Sequence, residues 1–213
     1  MPILYICIAV TLLLSSAPVA LAAETDASAQ KTDSVTTVQP PAATNKAAFD
    51  HDRFRKEVLE HKDWPNLHEV HPFLLRSGSP TQAGMQELKA KGVTTILDLR
   101  NPGEKKFDEG AAAKQLGISY IAMPMSSAPP TKKQVDTFLS TVKTAEAHPN
   151  DGKVLVHCTH GSDRTGCLVG IWRVTQDGWD YDRAYKEMRH YWFTPKFTNL
   201  SGAVEQYWHK AAR

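Results

Sequence analysis

Apolar residues in this chain follow two alternating rhythms. Short apolar or β-branched runs at residues 67–71, 73–76, 93–99, 118–122 and 154–157 predict strands. Between them the apolar positions recur every three or four residues, as in Met85 and Leu88 or Val135, Phe138, Leu139 and Val142, and predict amphipathic helices. Ser79-Pro80-Thr81-Gln82 predicts a helix start with Ser79 as the N-cap and Gly92 as the stop. Asn101-Pro102-Gly103-Glu104 predicts a second start of the same kind, for a helix ending at Gly117. Thr131 and Gln134 form a capping box, and apolar stretches at 165–176, 180–192 and 199–212 predict the closing helices. Strands alternating with helices imply an α/β fold, a single domain with a central, mostly parallel sheet flanked by helices. Such sheets bind ligands at the carboxyl ends of their strands.

The first part of the chain breaks this rhythm. Residues 1–22 carry no charged side chain, residues 3–14 are almost wholly apolar, and Ala20-Leu21-Ala22 is a small-x-small pattern. This predicts a signal peptide over 1–22, cut after Ala22 or Ala23, although its start lacks the usual Lys or Arg. An uncleaved anchor is the alternative, and the run is short for a span. Residues 23–46, rich in Ala, Thr, Ser, Gln and Pro, bury too little apolar surface to offset ordering entropy and predict a disordered linker. The domain then occupies residues 47–213. The expected location is periplasmic or secreted, free of the membrane once the leader is removed.

Charge and cysteine usage exclude more than they assert. A formal net charge of +2 over 213 residues gives no reason to expect nucleic acid as a partner. Three cysteines show neither metal-ligand spacing nor a paired framework, so no metal, cofactor or structural disulfide is expected. The mature chain is expected to be a monomer.

The chemistry concentrates in Val154-Leu155-Val156-His157-Cys158-Thr159-His160-Gly161-Ser162-Asp163-Arg164-Thr165-Gly166. A strand ends at His157, a tight loop follows, and a helix starts near Thr165. Backbone N–H groups in such a loop, joined by the helix dipole, bind an anion. The same conditions turn a cysteine into a thiolate near neutral pH. Arg164 supplies a planar fork for two phosphate oxygens.

His157-Cys158, five intervening residues and then Arg164-Thr165-Gly166 resemble the signature of the cysteine-dependent protein tyrosine and dual-specificity phosphatases. Arg76-Ser77-Gly78-Ser79-Pro80, Leu97-Asp98-Leu99-Arg100 and the segment from Arg164 to Gly170 are similar to the atypical dual-specificity branch of plants, fungi and bacteria. The resemblance covers about residues 65–195 and implies a phosphatase fold without cofactor. It further implies that Cys158 attacks phosphorus and forms a phosphocysteine. Arg164 would bind equatorial oxygens, and Thr159, His160, Gly161 and Ser162 would offer backbone N–H groups. Gly161 would permit a conformation denied to residues with a Cβ. His157 would support the thiolate through hydrogen bonds, and Thr165 would bond the sulfur as it leaves. Cys167 is expected in the core.

The proton donor is the harder assignment. Most dual-specificity enzymes carry it as an Asp on a separate loop, and the matching region here, Met123 to Thr131, holds no acid. Asp136 sits one turn into a helix, four residues after Lys132, and reads as a solvated charge. Asp163 is the preferred candidate, because Cys-x-x-Gly-x-Asp-Arg resembles the loops of myotubularin-type lipid phosphatases and some secreted bacterial phosphatases. The expected activity is hydrolysis of phosphotyrosine, with phosphoserine or phosphothreonine as further substrates, on a phosphorylated protein or small phosphoester. The alternatives are a phosphoinositide or inositol (pyro)phosphate phosphatase, and a non-catalytic phosphate-binding module. A rhodanese-type sulfurtransferase is disfavoured by Arg164-Thr165-Gly166. Whether residues 192–195 form a lid or a corner is open at this point.

Overall fold

A computed structural model describes residues 50–60 and 63–213, so the expected signal peptide and linker lie outside the described residues. The five strands are β1 (His68–His71), β2 (Leu74–Ser77), β3 (Val93–Asp98), β4 (Ser119–Ala122) and β5 (Lys153–His157). They form one sheet in the order β1-β2-β5-β3-β4, antiparallel only at the β1–β2 edge hairpin. The helices are α1 (His51–Phe54), α2 (Gln82–Ala90), α3 (Glu109–Gln115), α4 (Lys132–Ala147), α5 (Asp163–Thr175), α6 (Tyr181–His190) and α7 (Thr198–Ala211).

Strand alternation divides the apolar side chains between the two sheet faces. Leu75, Ile96 and Leu155 pack with Met85 and Leu88 of α2 and Ala112 and Ala113 of α3. Leu74, Leu97, Val154 and Val156 pack with Phe138 of α4 and with α5. α5 is buried nearly all round, which is why its apolar residues show little periodicity; Cys167, Leu168, Ile171 and Trp172 are all fully enclosed. Burying each such side chain contributes about 1.5–3 kcal/mol.

Two helix starts differ from the expectation. α2 is capped by Thr81, whose hydroxyl accepts from the Gly84 N–H, and not by Ser79. The Ser79 side chain accepts a hydrogen bond from Arg100, and its N–H goes to the Thr159 carbonyl, so tertiary contacts claim it first. The helix expected from Asn101 to Gly117 is two pieces. Pro102–Glu104 is a single 3-10 turn with a complete capping box, and α3 begins later with its own cap, Asp108. The break leaves Glu104 on a loop at the carboxyl end of the sheet. The 192–195 segment is a packed corner: Phe193 is fully buried, and the Thr194 N–H donates to Asp163.

Candidate active site

β5 is the central strand, and its last residue, His157, lies opposite Ser77 of β2 on one side and Asp98 of β3 on the other. Cys158 therefore emerges at the carboxyl edge between two strand ends, 3% exposed. The loop 158–162 is seated on the end of β2. Gly161 has φ +72°, and a Cβ there would stand 2.5 Å from the Ser77 carbonyl carbon. Both facts demand glycine. The Ser79 N–H donates to the Thr159 carbonyl, the Asn66 side chain to the His160 carbonyl and Arg76 to the Gly161 carbonyl, so three of the loop's carbonyls are fixed by donors outside the loop. The N–H groups of Thr159, His160, Gly161 and Ser162 find no acceptor among the described residues. Four unused donors at a helix N-terminus form an anion cradle.

Arg164 stands in the first turn of α5 with its guanidinium at the loop. Nη2 donates to Glu104 Oε1 at 2.6 Å and Nη1 to Oε2 at 2.7 Å, a bidentate pair. Nη1 also reaches the carbonyls of Leu99 and Met125, and Nη2 the Thr159 hydroxyl. Thr159 in turn donates to Glu104. The hydrogen bond from Arg164 brings the Glu104 carboxyl down to about 2 against the opposing effect of burial. Burial alone would lower Arg164, but Glu104 and Cys158 more than offset it and the net direction is upward. Glu104 went unrecognised in the sequence because its capping-box geometry accounts for it completely: the Asn101 N–H donates to the same carboxylate at 2.7 Å.

Asp163 is the first residue of α5. Its Oδ1 accepts the Thr194 N–H at 2.7 Å. Burial pushes its carboxyl up, and the bonds from Thr194 with the charges of His160 and Arg164 only partly restore it. Asp136 is elsewhere, exposed on α4 and paired with Lys132. Thr165 is fully buried and its hydroxyl has no hydrogen-bond partner among the described residues. His160 is exposed, and Ser162 is buried with its hydroxyl near the His160 carbonyl.

Behind the loop lies a closed polar network. His157 is fully buried, and its Nε2 meets Glu109 Oε1 at 2.9 Å. Arg100 donates to both oxygens of Asp98 and to Glu109. Burial would raise the Asp98 carboxyl, but Arg100, His157 and Tyr120 hold it well below the usual carboxylate range. Asp98, Glu109 and His157 come close enough to share a cation, yet the Arg100 guanidinium already supplies the positive charge among them. Cys167 lies inside α5 with its thiol toward the Leu200 carbonyl, pushed up to about 12 by burial. A cleft of about 470 Å³ adjoins the loop at Thr159 and His160 and is lined as well by Leu59, Pro80, Gln82, Glu104 and Phe107.

A family model described as "DSP-PTPase phosphatase fused to NAD+ Kinase" matches residues 50–205. The dual specificity protein phosphatase TpbA of Pseudomonas aeruginosa is 30% identical over 125 residues, 59% of this chain and 54% of the relative. The inositol diphosphatase DSP5 of Arabidopsis thaliana is 30% identical over 123 residues, 53% of this chain and 55% of the relative. The chain thus spans about half the length of the curated relatives it matches. The crystal structure of P. aeruginosa TpbA superposes with a TM-score of 0.56 at 26% identity, covering 70% of this chain and 91% of that one. The core catalytic domain of the PP-IP phosphatase SIW14 from S. cerevisiae gives 0.57 at 26% identity, covering 68% and 86%.

Proposed function

This chain belongs to the DSP-PTPase phosphatase family, and from that premise we propose that it is a cysteine-dependent phosphatase. It hydrolyses phosphotyrosine, and phosphoserine or phosphothreonine as well, through a phosphocysteine intermediate. The observation that carries this reading is the cradle of four unused loop N–H groups around a nucleophile and a guanidinium. Cys158 attacks phosphorus in line with the leaving oxygen. The N–H groups of residues 159–162 and the Arg164 guanidinium bind the equatorial oxygens and stabilise their charge in the transition state. Thr165, buried with a hydroxyl that has no partner among the described residues, donates to the sulfur when water releases the phosphate.

Asp163 protonates the leaving oxygen. Two carboxyl groups flank Arg164, and their surroundings drive them apart: Glu104 stays ionised while Asp163 is shifted toward its protonated form. A general acid must hold a proton at working pH, and the upward direction at Asp163 beside a depressed Glu104 supports giving the donor role to Asp163 and the structural role to Glu104. The leader-like residues 1–22 support export to the periplasm or beyond.

The inositol diphosphatase relatives favour a second substrate class, inositol pyrophosphate, on the same loop. Phosphate release by the full chain from an aryl phosphate, phosphotyrosine and phosphothreonine peptides, a phosphoinositide and an inositol pyrophosphate separates these readings, with Cys158→Ser as the blank. Release from the phosphotyrosine peptide that vanishes in Cys158→Ser is expected. Preference for the pyrophosphate moves the assignment to the second class. Release from none of them by folded, reduced protein leaves a phosphate-binding module.

A further inference from the structure

Arg76 on β2 stands opposite Val156, two residues before Cys158. Its side chain is completely buried. Nη2 donates to the Gly161 carbonyl at 2.8 Å, and the guanidinium lies over the Tyr191 ring, 4.4 Å from its centre. Nε and Nη1 meet no hydrogen-bond partner among the described residues. Nη2 is 3.7 Å from the position a Cβ on Gly166 would take, so the cation lies against the first turn of α5, beneath the loop.

A guanidinium stays ionised when buried, and a buried charge without an opposite one is costly. Three other arginines withdrawn from water have carboxylates: Arg100 holds Asp98 and Glu109, Arg164 holds Glu104, and Arg173 holds Asp177 and Glu187. No carboxylate pairs with Arg76 among the described residues. Glu187 acts on it through space but is already held by Arg173.

We propose that the Cys158 thiolate is the anion that compensates Arg76, and that Arg76 keeps the nucleophile ionised from beneath the loop. Arg164, already matched by Glu104, is then the group that meets the phosphoryl oxygens. The proposal rests on the reading of Cys158 as nucleophile, and it makes Arg76 a positioning residue that never touches substrate. Arg164 faces the same thiolate, since against burial Glu104 and Cys158 together raise it, so the two arginines share this anion and Arg76 is the one with no carboxylate of its own among the described residues. Burial takes Arg76 down to about 10, while Glu187, Tyr191 and Cys158 act in the opposite direction and Arg173 adds to the fall. His68 on β1 is brought to about 4 by burial first and Arg76 second, so it is neutral in the working range. His157 on β5 is tied to Glu109.

The test is the pH dependence of iodoacetamide alkylation, read on the Cys158 peptide of the full chain by mass spectrometry. Arg76→Gln removes the charge and keeps an amide able to donate to Gly161. Arg76→Lys keeps the charge without the planar fork. The expected result is a midpoint raised by about one pH unit or more in Arg76→Gln and restored in Arg76→Lys. A folded Arg76→Gln protein with the wild-type midpoint overturns the proposal. If Arg76→Gln does not fold, the ¹⁵N chemical shift of Arg76 Nε decides without it. That signal is expected to titrate with the Cys158 alkylation midpoint in the wild type and to be flat in Cys158→Ser. A flat signal in the wild type, or the same titration in both, sinks the idea. Alkylation requires no turnover, so failure of the phosphatase assay leaves this result readable.

Discussion

Glu104 grips Arg164 through both terminal nitrogens, at 2.6 and 2.7 Å, and takes a third hydrogen bond from the Thr159 hydroxyl. Charge-assisted bidentate pairs are among the strongest polar contacts a site can use to fix a side chain. Glu104→Ala frees the guanidinium to swing and is expected to lower kcat/KM for an aryl phosphate about tenfold, the equivalent of about 1.4 kcal/mol. Glu104→Gln, which keeps the shape and one acceptor, should lose less. Steady-state kinetics check this, and equal losses in both variants would assign the effect to charge alone.

Asp163 is shifted upward by burial, so it binds its proton more tightly in the folded chain than in the unfolded one. Its contribution to stability is complete below the ordinary aspartate range and is lost as pH rises through the shifted value. Asp163→Asn is neutral at every pH and can still accept from Thr194. Its Tm at pH 7 is therefore expected at or above that of the wild type, while turnover of an alkyl phosphate falls more than turnover of an aryl phosphate. Equal loss on both substrates would remove Asp163 from the proton-transfer step.

Asp98, depressed below the carboxylate range, carries the opposite sign. It contributes stability that is present above that range and lost on acidification. Asp98→Asn breaks a buried pair with Arg100 and is expected to cost about 3–5 kcal/mol at pH 7. The gap to the wild type should narrow as pH falls. Urea unfolding at a series of pH values measures it, and a gap constant with pH would contradict the assignment.

Gly161→Ala forces a Cβ to within 2.5 Å of the β2 backbone at a positive φ. The φ strain alone is about 1–3 kcal/mol, and the loop must lift off Ser77 to relieve the contact. Binding of orthovanadate, read by calorimetry, is expected to fall by more than tenfold in a folded variant.

Cys167 faces the Leu200 carbonyl inside the core, with a thiol at about 12. Mild peroxide is expected to convert Cys158 to a sulfenic acid with no disulfide to Cys167. Peptide mapping after dimedone labelling distinguishes these products, and a Cys158–Cys167 bridge would show that α5 opens far more readily than its packing allows.

The parts of this candidate site that lie next to each other in the chain are legible in the sequence. Cys158, Asp163 and Arg164 share one loop, and strand, loop and helix N-terminus are all written in local composition. The parts that arrive from elsewhere are not. Glu104 comes from 60 positions away and reads as an ordinary helix cap, because one carboxylate serves both the Asn101 N–H and Arg164. Ser79 satisfies every local rule for a cap, yet Arg100 and Thr159 take its side chain and N–H, and the cap passes to Thr81. Arg76 was visible only as part of a motif, since its role depends on the pairing of β2 with β5. Asp136 and the region before it show the converse: local pattern alone sufficed to mark that acid as a surface charge.

The central place of β5 has a consequence for the life of the protein before it is folded. The floor of the loop is Ser77 and Gly78, Arg164 is held by Glu104, and Cys158 follows β5. Those segments meet only when strands from three distant parts of the chain have docked in parallel, a late and cooperative event. Until then Cys158 is an ordinary thiol in an open chain, with no cradle and no paired arginine beside it. On the proposed reading, phosphatase activity is thus the product of completed folding, and an unfinished or misassembled molecule keeps only the reactivity of a free thiol.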